Sequence, residues 1–305
     1  VGGFPENSAI PQPSLFGSGS AGLEFSENPK WRADETGSKE KRRRGKIMNF
    51  FKTSVLAAFL LFFFYAALIL SLLTAFEGKG FWELLLAPET LFAIRLSLTA
   101  ATLAAFLAVA IGLPAAYALS RKNFFGKKVV DTILELPLIM SPIALGAALL
   151  IFFNTHAGEA IQSRGILFVF EFPGIVLAQF ATIAGLATRL MKTALDEIPP
   201  RYEAVARSLG SSASQAFWRI TFPLAFRGLV SAMILCWAKA VGEFGATVTL
   251  AGTMAFKTET MPIAIFMALA SADIPKTIIL ILILAGIGLT ALYAVRLLDK
   301  RPQVL

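Results

Sequence analysis

Apolar residues run through this chain in six long blocks, and the segments between them hold nearly all of the charge. A helix needs about 20 apolar residues to cross the hydrocarbon core of a bilayer. Val55 to Phe76, Leu96 to Leu119 and Thr277 to Val295 meet that length without a single charge. Gly174 to Leu195 carries Arg189 and Lys192 near its end, and Gly228 to Leu250 carries Lys239 and Glu243. Leu136 to Phe153 is shorter and contains Pro137 and Pro142. Prolines in a spanning helix need neighbours to satisfy the freed carbonyls, so this third span is expected inside the bundle. Met261 to Ala270 is apolar but too short to span. With Pro262 suited to a first helical turn, it reads as a short re-entrant or interfacial helix. Ile166 to Phe170 is shorter still and is placed at the outer interface.

The pattern therefore predicts an all-α integral membrane protein of six transmembrane helices. Charge supplies the orientation. Lys46, Lys52, Arg121, Lys122, Lys127, Lys128, the arginines from Arg189 to Arg227, and Arg296, Lys300 and Arg301 fall on one side. The other side holds only Lys79, Arg95, Arg164, Lys257 and Lys276. The positive-inside rule then puts both termini and the 189–227 loop in the cytoplasm. Residues 1–47 are rich in Gly, Ser, Pro and Glu, end in a basic run, and are read as a disordered extension upstream of a natural start at Met48. Residues 48–305 form the membrane domain.

Composition narrows the function. The net charge of +8 flanks apolar segments, so it is a topology signal and not a nucleic-acid face. One cysteine, Cys236, and one histidine, His156, exclude an intramolecular disulfide and a His/Cys metal cluster. No phosphate-cradling G-x-x-x-x-G-K-[ST] is present, so energy must come from a partner or a gradient. Asp131 and Glu135, one turn apart before the third span, read as the solvated start of a helix. No catalytic set is visible.

The loop from Ile198 to Pro223 is the most informative segment. Pro200 is placed to open a helix, with Glu203 in its first turn. Tyr202, Val205, Ala206 and Leu209 share one apolar face, and Gly210 supplies a left-handed stop. Ser212 and Gln215 have capping-box spacing for a second helix. Its apolar stripe is Ala213, Ala216, Phe217 and Ile220, and Pro223 is expected to end it. Two short amphipathic helices joined by a glycine turn can present a knob to a soluble partner or lie flat on lipid.

Glu203-Ala204-Val205, Gly210 and, after nine intervening residues, Ile220-Thr221-Phe222-Pro223 resemble the EAA loop of ABC importer permeases. The resemblance covers Met48 to about Arg301 and implies a type I importer bundle in which Glu203, Ala204, Val205, Arg207, Gly210, Ile220 and Pro223 couple to the ATPase. Glu203 and Gly210 are expected to serve coupling rather than folding. The stretch Trp237 to Thr247 is similar to the molybdate/tungstate branch, with Lys239 in place of its usual Arg. Phe124 to Lys127, Leu136 to Pro142 and Thr258 to Pro262 resemble that branch as well. The resemblance implies a homodimer, two copies of a cytoplasmic ATPase that uses the ATP, and an extracytoplasmic oxyanion-binding protein. It implies no cofactor or metal on this chain. A sulfate/thiosulfate permease is the nearest alternative. A secondary transporter with Lys239 and Glu243 as a proton relay is the more distant one, and it lacks the inverted repeat common in that class.

Lys239 and Glu243 are four residues apart and are expected to share a helix face and neutralise each other. Lys239, Gly242, Glu243, Gly245, Thr247 and Thr249 are the candidates for the translocation path or its gate. Gly242 and Gly245, three apart, would let another helix approach closely.

Overall fold

The computed structural model of the chain describes residues 30–75 and 81–298, with side chains from residue 51 onward. Every regular element among them is helical. In chain order they are α1 (Lys30–Ala75), α2 (Phe81–Leu85), α3 (Pro88–Arg121), α4 (Lys127–Ile139), α5 (Pro142–Phe153), α6 (His156–Gln162) and α7 (Phe172–Asp196). There follow α8 (Arg201–Ser208), α9 (Ala213–Ala216), a π-turn (Phe217–Thr221), α10 (Phe222–Val241), α11 (Gly245–Ala251), α12 (Met261–Ala270) and α13 (Ile274–Leu298). Among the described residues, five helices are long and apolar enough to cross a membrane, or six when α4 and α5 are taken as one bent span.

The chain divides near residue 70 into two units. The first contains most of α1, whose apolar stretch Phe51–Ala75 buries nothing. Residues 30–47, expected to lack structure, are helical and continuous with that stretch. Their Lys, Arg and Glu side chains favour helix, and a helix already nucleated by the apolar stretch extends at little cost. Residues 1–29 of the expected extension lie outside the described residues.

The second unit is built on α3 and α7. The buried face of α3 is a stripe of small residues: Ala93, Ser97, Ala100, Ala104, Ala108, Gly112 and Ala116. Small side chains let two helix backbones approach closely. At Gly112 the approach is so tight that an added Cβ would lie 3.2 Å from Thr188 Oγ1 of α7. Ile175, Ile183, Ala187, Cys236, Ala240 and Val241 complete this core, which joins α10 to the pair.

Three expectations give way here. The third span is not one helix: α4 and α5 meet at 110°. Pro142 forces the preceding Ser141 into extended backbone (φ −60°, ψ 135°), and that residue cannot continue a helix. Nor is this span interior, since α4 buries no side chain and α5 buries only Gly146 and Phe153. Asp131 and Glu135 consequently sit mid-helix in α4, and Glu135 pairs with Arg189 at 3.5 Å.

The fifth span also breaks. The helix stops at Val241, and Gly242 to Phe244 are non-helical before α11 begins. Pro223, by contrast, ends nothing. It lies just after the π-turn, which carries the chain from α9 into α10 without interruption, inside the helical run Ala213–Val241. The short helix Met261–Ala270 forms with the expected bounds and with Pro262 in its first turn. It is packed inside the protein, with Met261, Ile263 and Ala264 buried, and its Met261 N–H donates to Ser97 Oγ of α3 at 2.7 Å. Ile166 to Phe170 is irregular, and Gln162 Oε1 accepts there from the Phe168 and Val169 N–H groups.

Candidate functional site: the anchored loop and the broken fifth helix

Two regions gather the residues singled out by sequence. The first is the loop α8–α9. Gly210 adopts φ +91°, a backbone region that favours glycine, so the turn between the helices forms as read. The capping box forms too: Gln215 N–H donates to Ser212 Oγ at 3.2 Å and Ser212 N–H to Gln215 Oε1 at 2.9 Å.

Tyr202, Val205 and Leu209 are exposed, whereas Glu203 and Ala206 are buried. Glu203 Oε1 accepts from Arg121 Nε at 2.9 Å and from Thr221 Oγ1 at 2.6 Å, and Oε2 accepts from Tyr117 Oη at 2.9 Å. Burial pushes the Glu203 carboxyl up, but the donors Thr221, Arg121 and Tyr117 outweigh it and hold the group below its usual range. Glu203 therefore ties the loop to the bundle. A buried carboxylate must be paired, and its donors stand at the end of α3 and in the π-turn.

Arg121 extends this tie. Its Nη2 donates to the carbonyl of Leu195 in the last turn of α7 and to that of Ile198 just beyond it, at 3.0 and 2.8 Å. Cations are favoured at helix C-termini, where carbonyls lack partners. Tyr117 also packs edge-on against Phe217, with ring centroids 4.7 Å apart. The loop is thus tied to α3, to α7 and to the start of α10, while Ala204, Val205, Arg207 and Ile220 remain outside that network. Sequence reading missed Tyr117, Arg121 and Thr221. Tyr117 and Arg121 do stand four apart on one helix face, but their partner lies some eighty residues further on.

The second region is the break after α10. Glu243 is buried, and its Oε1 accepts from the Ala246 N–H at 3.1 Å. Lys239 is exposed and has no ion pair or hydrogen bond among the described residues. The two do not pair, because the helix that would align them ends between them. Gly245 does mediate close approach: an added Cβ would meet Pro142 and Ile143 of α5 at 3.0 Å. Gly242 does not, since it is exposed and its nearest neighbours belong to its own helix. Thr249 Oγ1 is spent on the Gly245 carbonyl at 2.7 Å. Thr247 Oγ1 is buried without a hydrogen-bond partner among the described residues, as are both side-chain polar atoms of Gln179 on α7, a residue whose lone amide in an apolar run was the only sequence signal.

Residues 108–304 match the family described as the inner membrane component of binding-protein-dependent transport systems. The chain belongs to that family. It is a multi-pass membrane permease subunit of an ABC importer. Among its relatives, a probable molybdenum ABC transporter permease of Haloferax volcanii is 35% identical over 206 residues, 68% of this chain and 74% of that one. The molybdenum transport system permease ModB of Haemophilus influenzae is 34% identical over 57% of this permease and 77% of its own length. The sulfate permease CysW of Synechococcus elongatus is 32% identical over 68% and 74% respectively. The fold is shared with a chain of a bacterial alginate ABC transporter, at a TM-score of 0.68 with 18% identity over 86% of this chain and 96% of that one. A chain of the MetNI methionine transporter superposes with a TM-score of 0.53 at 18% identity, over 68% and 95%. The permease therefore has the type I importer fold, and the secondary-transporter reading is set aside.

Proposed function

We propose that the permease translocates a tetrahedral oxyanion, molybdate or tungstate, driven by ATP hydrolysis on a separate subunit. The observation that carries the coupling half of this reading is the Glu203 network. A helix bolted through one buried carboxylate to α3, α7 and the start of α10 transmits a push on its outer face to the whole bundle. The exposed Tyr202, Val205 and Leu209 give a partner something apolar to grip. In this reading one ATPase sits under each of two copies of the chain, with the loop and both termini in the cytoplasm. An extracytoplasmic binding protein delivers the anion. ATP binding closes the ATPase pair and shifts the bundle to face outward, and hydrolysis returns it. The chain itself carries out no catalysis and binds no cofactor.

The choice of anion is supported by Phe244 and Ala246 within the Gly242–Thr247 stretch and by the molybdenum permeases among the relatives. Sulfate is the second reading, favoured by relatives such as CysW. The test is uptake by vesicles reconstituted with the permease, its ATPase and its binding protein. Molybdate and tungstate should each stimulate hydrolysis and enter. Sulfate should do neither. Uptake of sulfate undiminished by excess molybdate would assign the permease to sulfate.

A further inference from the structure

The break in the fifth span separates two charges that sequence would pair. Glu243 turns inward and is held by the Ala246 N–H. Lys239 stays outside, without a partner among the described residues. The rotation of α10 that puts it there is fixed from both sides: Cys236, Ala240 and Val241 pack into the core with α3 and α7, and Trp237 Nε1 donates to Thr102 Oγ1 at 3.0 Å.

The depth of Lys239 makes this exposure informative. It stands twelve residues beyond Arg227 on one continuous helix, or about 18 Å at 1.5 Å per residue, near the middle of a hydrocarbon core ~30 Å thick. A four-carbon stem cannot carry an ammonium from there to either surface. A lone cation facing lipid at that depth is strongly unfavourable, and such residues face the bundle interior or a water-filled cavity instead. A second observation points the same way. Gly242 is non-helical and exposed, with no atom of another element within 4 Å of an added Cβ. Irregular backbone at membrane depth persists only where protein buries it or water reaches it, and no other described element of this chain buries it.

We infer that Lys239 and the Gly242 turn line the aqueous translocation path, and that Lys239 supplies the positive charge a dianion passes at mid-membrane. Glu243, which would repel the same anion, is withdrawn from the path by its bond to the Ala246 N–H. This inference rests on the oxyanion reading above and adds the residue that would favour an anion over a cation or neutral solute.

The test starts from a Cys236→Ala background, since the one native cysteine is buried. In it, Lys239→Cys should react with water-soluble thiol reagents, and molybdate uptake should be about tenfold below the Lys239 parent, a modest effect for one weakly screened charge. Modification with a cationic reagent should restore uptake and an anionic reagent should not. Lys239→Arg should transport normally. All variants should copurify with the ATPase. Lack of labelling, or unchanged uptake in Lys239→Cys, would overturn the inference. So would a loss that charge fails to rescue, because a structural role predicts that result. If the unmodified permease moves no oxyanion, the functional reading itself fails and takes this inference with it.

Discussion

Glu203 sits one turn into α8, and its carboxylate receives the Arg121 guanidinium and the hydroxyls of Tyr117 and Thr221. The side chains of the pair are 7% and 12% exposed, so removing either partner leaves the other charge almost dry. Glu203→Ala should therefore cost about 3 kcal/mol and loosen the loop, and ATPase copurification should fall with it. Because the folded carboxyl lies below its ordinary value of 4.5, its stabilisation is complete above that pH. It disappears as the pH drops below 4.5 and through the lower folded value. Thermal unfolding in detergent across acid pH checks this. The wild-type midpoint should fall in that window, and Glu203→Gln should start lower and lose less. Equal acid sensitivity in both would show that the carboxylate is not the titrating anchor.

At the scale of elements, glycines divide into those that free the backbone and those that clear space. An added Cβ at Gly146 of α5 would lie 2.7 Å from the Ala246 carbonyl oxygen and 2.8 Å from its Cα. Backbone cannot move aside as a flexible side chain can, so Gly146→Ala should push α5 off α11 at a cost of about 1–3 kcal/mol. Gly210 has nothing within 4 Å of such a Cβ, and its φ of +91° is the sole obstacle. There alanine and valine should each cost about 1–2 kcal/mol and asparagine less. Thermal stability should fall in Gly146→Ala, whereas ATPase-binding affinity should fall in Gly210→Val with the transmembrane core intact. A Gly210→Asn variant as impaired as Gly210→Val would argue that the turn is limited by contact and not by φ.

For the whole molecule, the orientation proposed from loop charge has a direct check. A Ser211→Cys variant made on the Cys236→Ala background should resist impermeant thiol reagents applied to intact cells and react once the membrane is opened. Ser211 is partly exposed at the turn between α8 and α9, so access is not the obstacle. Efficient labelling from outside would invert the topology and remove the loop from any cytoplasmic partner.

Hydrophobic run length alone determined the place and order of the apolar segments, because the water-to-hydrocarbon transfer of some twenty residues outweighs local detail, but not which of them break. Turn chemistry did the same for Gly210 and the Ser212 box, since both depend on neighbours within four residues. Long-range pairing was decided only by tertiary structure. Pro142 could be read as a disturbance of the third span, but the 110° angle between α4 and α5 is seen only in the folded chain. Lys239 and Glu243 looked like partners while one helix was assumed to carry both. The chain instead leaves helix at Val241, letting Gly245 seat on α5 and Glu243 satisfy the N–H of Ala246. Glu203 was legible as a motif residue, yet its partners Tyr117 and Arg121 lie on another helix. A buried charge selects its partners by proximity in the folded chain, which spacing along the sequence does not encode.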